Sequence, residues 1–302
     1  MERSTIIQGI AQGNIRALAR MITGIENEIP EFDTMLEDLE FSNTPVIGFT
    51  GPPGAGKSTL ISAFVKHLSS LGKKIAVLAV DPSSPFNQGS LLGDRLRMSE
   101  HYLLPNVFIR SMASRGSLGG LAPRVFEVCD VLRAAHFDYI LIETVGVGQS
   151  EVEIAALADT SVLVLVPEAG DDIQTIKSGI MEIADVFVLN KADRESADIF
   201  LKNLASLAHS HASSTWETPV VKTVASKHEG IEDLFDAIEL HRNHPESKVK
   251  KQLLFAQKAL NLIRHLRTRD IQFDELKTDI SKELLLTQNF NMYRYVKKYI
   301  NQ

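Results

Sequence analysis

Eight consecutive residues have the types and spacing that cradle phosphate. Gly51-Pro52-Pro53-Gly54-Ala55-Gly56-Lys57-Ser58 fits G-x-x-x-x-G-K-[ST]. A chance match in a chain of this length has a probability of roughly one per cent at average composition. Glycines let backbone N–H groups turn inward around phosphate oxygens. The helix that must follow adds positive potential at its N-terminus. In such a loop Lys57 reaches the β- and γ-phosphates, the Ser58 hydroxyl ligates Mg²⁺, and Thr59 completes the set at the helix start. Pro52 stands where some dimeric P-loop ATPases carry a second lysine, so that route of activation across a dimer is not expected.

A second motif selects the base. Asn190-Lys191-Ala192-Asp193 fits N-K-x-D directly after the apolar run Val186–Leu189. The Asp193 carboxylate can accept from guanine N1–H and from its 2-amino group, a donor pair that adenine lacks. A buried polar group left unpaired penalises the wrong base heavily. The aliphatic stem of Lys191 can lie over the base plane. Val224-Ala225-Ser226, after Val220–Thr223, occupies the place where GTPases make a backbone contact to the guanine oxygen.

Three acids stand where a phosphate-bound metal would need oxygen ligands. Asp81 ends an apolar run, Asp94 lies in a Gly/Ser-rich loop, and Glu143 ends Tyr139–Ile142 and is followed by Thr144-Val145-Gly146. Ligands in open α/β sheets gather at the carboxyl ends of the strands. Glu143 with Gly146 therefore reads as a Walker B variant with Glu in place of Asp. No arginine finger is evident, and Gln149 is a candidate for positioning water.

The elements needed to hold these loops are legible. Short apolar runs at Val46–Thr50, Lys74–Val80, Val107–Arg110, Tyr139–Ile142, Ser161–Val166, Val186–Leu189 and Val220–Thr223 alternate with amphipathic helical stretches. Most runs are continuous, as strands buried on both faces should be. This order predicts a P-loop NTPase fold: a doubly wound, mostly parallel sheet with helices on both faces, plus helical N- and C-terminal extensions. The expected division is residues 1–43 as a helical preface broken at Pro30, 44–242 as the nucleotide-binding domain, and 243–302 as a helical arm. Two helices are expected in the arm, Lys248–Arg269 and about Asp274–Tyr299. The first carries a stripe of Leu253, Leu254, Ala256, Gln257, Leu260, Ile263 and Leu266. That stripe either packs on the chain's own core or forms a dimer contact.

Composition narrows the classes. The chain has 302 residues and a net charge of −6, a poor match to bulk binding of nucleic acid or anionic membrane. No apolar run approaches the ~18 residues of a spanning helix, and no signal-peptide pattern opens the chain. The single cysteine, Cys129, rules out an internal disulfide and fits a reducing, cytoplasmic setting. Metal-delivering GTPases usually carry Cys or His clusters near the nucleotide. Here Cys129 stands alone, and His209 and His211, two apart in an expected loop or helix end, have a spacing more common in solvent-exposed histidines than in ligands, so metal delivery stays a secondary alternative. Phosphoryl transfer to a small acceptor is another, with Asp81 as its only base.

The segments AVDPSSPF, GSLLGDRLRM, FIRSMASRGSLGGLA, ETVGVGQSE, GDDIQTIKSGIMEIADVF and NKAD resemble the methylmalonyl-CoA mutase-associated GTPases of the MeaB/ArgK family, from about Ile7 to Leu240. The resemblance implies a GTPase grouped with metallochaperones. Its implied role is to gate cofactor loading into an adenosylcobalamin-dependent acyl-CoA mutase and to protect that mutase from inactivation. It also implies a homodimer joined through the C-terminal helices. By this resemblance Lys57, Asp81 and Glu143 match residues implicated in hydrolysis, and Asp94 the magnesium-linked aspartate of a first switch. Glu143 onward matches a second switch. Glu168–Gly179, with Asp171, Asp172, Gln174 and Lys177, matches a third switch that the mutase senses. Asp171 and Asp172 would equally serve as caps of a helix dipole. Asn87-Gln88 replaces the more usual Thr-Gly, and Val224 stands where a serine is common. An ATPase or kinase tied to lysine/arginine/ornithine transport is the alternative within the family. N-K-A-D argues against it.

Overall fold

Each of the seven apolar runs forms a strand, in one wholly parallel sheet ordered β3-β2-β4-β1-β5-β6-β7. The strands are β1 (Val46–Thr50), β2 (Ile75–Asp81), β3 (Val107–Ala113), β4 (Tyr139–Glu143), β5 (Thr160–Leu165), β6 (Val186–Asn190) and β7 (Val220–Thr223). A computed structural model describes residues 2–81, 98–101, 103–113, 124–144, 154–170, 183–210, 216–268, 270–286 and 290–300. β3 runs three residues past its expected end and pairs with β2 as far as Asp81 opposite Ala113. Apolarity alone misses this extension, because Ser111 and Ala113 carry little hydrophobic signal.

The strand starts share a local device. Asp138, Asp159 and Asp185 each directly precede a strand. Their carboxylates accept the backbone N–H of Lys74 (2.7 Å), Val46 (2.8 Å) and Ser161 (2.7 Å) on the neighbouring chain segment. At the amino edge of a parallel sheet those donors lack a ladder partner, and an unpaired buried N–H is costly. His241 contacts Asp185 at 3.3 Å and also meets Thr160 Oγ1 at 2.9 Å, and Lys250 pairs with Asp185 too. Burial alone would raise the Asp185 carboxyl. The His241 hydrogen bond and the Lys250 ammonium outweigh it, and the group is held below the usual carboxylate range.

Side-chain alternation with period two divides the core between the faces. Ile75 and Val77 of β2 join the apolar cluster of α4 (Lys57–Ser70), with Leu60, Ile61 and Phe64. Ala76, Leu78 and Val80 join the opposite cluster. That second cluster contains the N-terminal helices α1 (Arg3–Ala11), α2 (Ile15–Glu26) and α3 (Pro30–Met35), together with α5 (Val125–Ala134). Ile6, Ile10, Leu18, Ile22 and Met35 are fully buried there, so the N-terminal helices cover one face of the sheet. Asn14 starts α2 by accepting the N–H groups of Arg16 and Ala17, and Pro30 is the first residue of α3. Helices α6 (Ala197–Ser210) and α7 (Ile231–Asn243) join the α4 side.

The chain divides into two compact units, 1–254 and 255–302. Helix α8 (Pro245–Thr268) begins in the first and ends in the second. The second unit continues with α9 (Phe273–Leu286) and α10 (Met292–Ile300), two helices where the periodicity suggested one. Asn291 accepts the Arg294 N–H at 3.0 Å and so opens a separate helix. Within this unit Tyr295 is buried and donates to Asp279 at 2.9 Å, while Lys298 pairs with Glu283. The α8 stripe lies exposed: Leu253, Leu260, Ile263 and Leu266 are all at least two-fifths accessible. Among the described residues no helix is long and apolar enough to cross a membrane.

Candidate functional site

Between β1 and α4 the chain makes the phosphate-loop turn that the glycines permit. Gly51 has φ +138°, and a Cβ there would lie 2.1 Å from the Val164 carbonyl oxygen. Gly56 has φ +87°, and its Cβ would meet the Asn190 amide nitrogen at 2.5 Å. Both positions exclude a side chain on backbone conformation and on space. Pro53 and Gly54 are exposed at the loop tip, Ala55 is buried, and Pro52 lies between. Lys57, 6% exposed, donates from Nζ to the carbonyls of Gly51 (2.7 Å) and Pro52 (3.1 Å). Its ammonium therefore lies inside the loop curve, where phosphate charge would sit. Thr59 is exposed on the first turn of α4.

Sheet register brings the acid to the hydroxyl. Phe49 of β1 lies opposite Glu143 of β4, so Glu143 ends its strand beside the loop. Ser58 Oγ donates to Glu143 Oε1 at 2.6 Å, and both residues are 5% exposed. A hydroxyl and a carboxylate are the hard oxygen donors that a small divalent cation takes, so the pair fits one. Asp81 ends β2, two residues past Ala79, which lies opposite Glu143. The backbone of Asp81 thus reaches the same carboxyl edge.

The base-selecting motif is tied to the loop by its own side chains. Asn190, 2% exposed, donates from Nδ2 to the Ala55 carbonyl at 2.9 Å. Its Oδ1 accepts from Thr223 Oγ1 (3.1 Å) and the Ala225 N–H (3.2 Å). One amide joins three loops. Lys191 sits at φ +56°, an uncommon conformation for a side-chain-bearing residue. Its ammonium reaches back to the Gly54 carbonyl at 2.8 Å, so its stem spans from the N-K-A-D turn to the phosphate loop. Asp193 is exposed and pairs with Lys227 at 3.0 Å. That lysine holds the Asp193 carboxyl below its ordinary range. Val224 and Ala225 are buried, and Ser226 is exposed on a one-turn helix, Ala225–Lys227.

Several expected residues fall outside the described ones: Asp94, Gln149, Asp171, Asp172, Gln174, Lys177 and His211, and likewise the side chains of Asp81 and His209. Other residues join the site without a motif to announce them. Thr223 holds Asn190. Thr144, wholly buried, lies 3.3 Å from Thr50 Oγ1 beside the loop. Further along α4, His101 lies 2.7 Å from Ser62 Oγ, and burial lowers its pKa. Arg194, next to Asp193, pairs with Glu168. Thr144 directly follows the strand-end acid Glu143 and Thr223 directly precedes Val224-Ala225-Ser226, and that adjacency is the signal that finds them. His101 has no local signal.

A phosphate loop at the first strand, an acid at the neighbouring strand end and an N-K-x-D turn clamped to that loop define a P-loop GTPase. Residues 18–279 match the family profile described as methylmalonyl Co-A mutase-associated GTPase MeaB, and the chain belongs to that family. A provisionally named GTPase of Pyrococcus abyssi is 49% identical over 247 residues, covering 80% of this chain and 76% of that protein. GTPase ArgK of Escherichia coli is 38% identical over 247 residues, covering 77% and 73%. A crystal structure described as a LAO/AO transport system kinase superposes with a TM-score of 0.71 at 26% identity, covering 99% of this chain and 98% of that one. The chain is thus a GTPase of the MeaB family.

Proposed function

We propose that this GTPase is a chaperone for an adenosylcobalamin-dependent acyl-CoA mutase of the methylmalonyl-CoA mutase type. In this reading its nucleotide state gates cofactor loading and protects the mutase. The observation that carries the nucleotide half is the clamp of Asn190 and Lys191 onto Ala55 and Gly54, which joins base selection to phosphate binding. The name of the matched family supports the partner.

In this reading Gly51, Pro52, Pro53, Gly54, Ala55, Gly56 and Thr59 line the phosphates. Asn190, Lys191, Asp193, Val224, Ala225 and Ser226 surround guanine. Lys57 stabilises charge on the transferring phosphoryl group, and catalysis is mainly positioning plus charge neutralisation. Ser58, Asp94 and Glu143 would hold Mg²⁺, which would supply positive charge to offset that of the phosphates. Asp81 acts with Lys57 and Glu143 in hydrolysis. Asp171, Asp172, Gln174 and Lys177 report the γ-phosphate to the partner, as switch segments do. Residues 44–242 serve as the GTPase domain, preceded by a helical region, 1–43. Residues 243–302 serve as a homodimer arm, a role supported by the exposed α8 stripe. The setting is the cytoplasm.

The deciding experiment is a pull-down of purified adenosylcobalamin-dependent acyl-CoA mutases on this protein, loaded with GDP or with a non-hydrolysable GTP analogue. The expected result is binding whose strength depends on the nucleotide. Failure to bind any such mutase in either state would sink the chaperone reading.

A further inference from the structure

The base-selecting carboxylate has a partner that no motif assigns. Lys227 Nζ lies 3.0 Å from Asp193 Oδ2. Both ends of this contact are carried by closed loops. On one side the Ala192 N–H donates to Thr223 O (3.1 Å) and the Arg194 N–H to Lys191 O (3.2 Å). On the other, Val224 N–H donates to Glu229 O (3.1 Å) and Lys227 N–H to Val224 O (2.9 Å), with His228 left-handed at φ +60°. Val224, at the start of that loop, is buried and carries no polar side-chain atom.

An exposed carboxylate on a terminal torsion rotates broadly and in a two-fold manner. Guanine presents two parallel donors, N1–H and the 2-amino group, which must meet both oxygens in one plane. A carboxylate has about four acceptor sites. An ammonium on Oδ2 occupies one of them and biases the rotation, and it leaves enough for both base donors. Exposed ion pairs contribute little to folding, so the consequence of this pair falls on recognition.

We propose that Lys227 is a specificity-positioning residue: it binds one oxygen of Asp193 and pre-orients the carboxylate for two-point acceptance from guanine. This rests on the reading of Asp193 as the group that meets the base. Without Lys227, binding must itself order the carboxylate, a cost that weakens affinity by about 2- to 10-fold. That cost falls on guanine, which needs both oxygens. Hypoxanthine lacks the 2-amino group and engages one oxygen, so it is largely spared. The same lysine raises the Asp193 side's electrostatic preference for staying ionised, in line with its lowered pKa.

The test is calorimetric titration of the full-length protein with GDP and IDP, for the wild type, Lys227→Ala and Lys227→Arg. XDP is added for Asp193→Asn. A gain of XDP over GDP in Asp193→Asn upholds the base reading by itself. The absence of any gain refutes that reading, and the role of Lys227 with it. Given the gain, the expected result is that Lys227→Ala loses about 2- to 10-fold in GDP affinity with little change in IDP, so the GDP/IDP ratio shrinks. Lys227→Arg retains the ratio. An unchanged ratio in Lys227→Ala, including equal loss of both nucleotides, overturns the proposal. Tighter GDP binding also overturns it, because it would mean that the lysine competes with the base.

Discussion

Asn190 is the side chain on which the arrangement of the three nucleotide-facing loops most depends, and Asn190→Ala tests this directly. The wild-type amide is 2% exposed and makes three hydrogen bonds, to the Ala55 carbonyl, the Thr223 hydroxyl and the Ala225 N–H. Each partner is itself buried, at 0%, 1% and 4% exposure. A typical intramolecular hydrogen bond contributes about 1 kcal/mol net, and a buried group left without a partner costs about 1–3 kcal/mol. Three bonds lost at once therefore predict a destabilisation of about 3 kcal/mol or somewhat more. With an m-value near 3 kcal/mol/M, that moves the urea midpoint down by about 1 M. Asp193→Ala is the control: an exposed side chain in the same turn should shift stability by less than ~0.5 kcal/mol. Far-UV circular dichroism of urea unfolding, without nucleotide, measures both. Saturating GDP stabilises the wild type by about 2.7 kcal/mol at a hundredfold excess over Kd. Asn190→Ala should forfeit most of that gain, because the loops it joins no longer form one surface. If Asn190→Ala unfolds within ~0.5 kcal/mol of the wild type, or no differently from Asp193→Ala, the view of this amide as a three-loop joint is wrong.

Three further outcomes are expected. Gly51→Ala sets a Cβ 2.1 Å from the Val164 carbonyl at φ +138°. It should lose more than ~2 kcal/mol in thermal unfolding, since backbone strain and overpacking add. Ser58→Ala removes the hydroxyl 2.6 Å from Glu143. It should lower kcat at least tenfold, about 1.4 kcal/mol, and steepen the dependence on Mg²⁺ in steady-state GTP hydrolysis. His101 has its pKa lowered from 6.5 by burial. The folded state therefore resists a proton that the unfolded chain accepts, and stability falls as pH drops below 6.5 towards the lower folded value. Lys66 and His228 act in the same direction, and Glu100 opposes them. Urea unfolding between pH 7.5 and 5 should show a shallower slope for His101→Gln than for the wild type.

The chemistry of this protein is written locally, and so the chain order reveals it. G-x-x-x-x-G-K-[ST] and N-K-x-D need particular residue types at fixed spacing. Short and mostly continuous apolar runs announce strands, and all seven form. The sequence assigns Ser58 and Glu143 to one metal, but it could not show their direct contact at 2.6 Å across 85 residues. That follows from β4 lying beside β1 in a sheet whose order departs from chain order. Nor could it place the N-terminal helices on one face of the sheet: amphipathic periodicity marks an apolar stripe but not the surface that covers it. The contacts of Asn190, Lys227 and His101 belong to the same class. Each joins loops or helices distant in sequence. Their energies come from burial and from the pairing of polar groups, which exist only once the sheet has set the register.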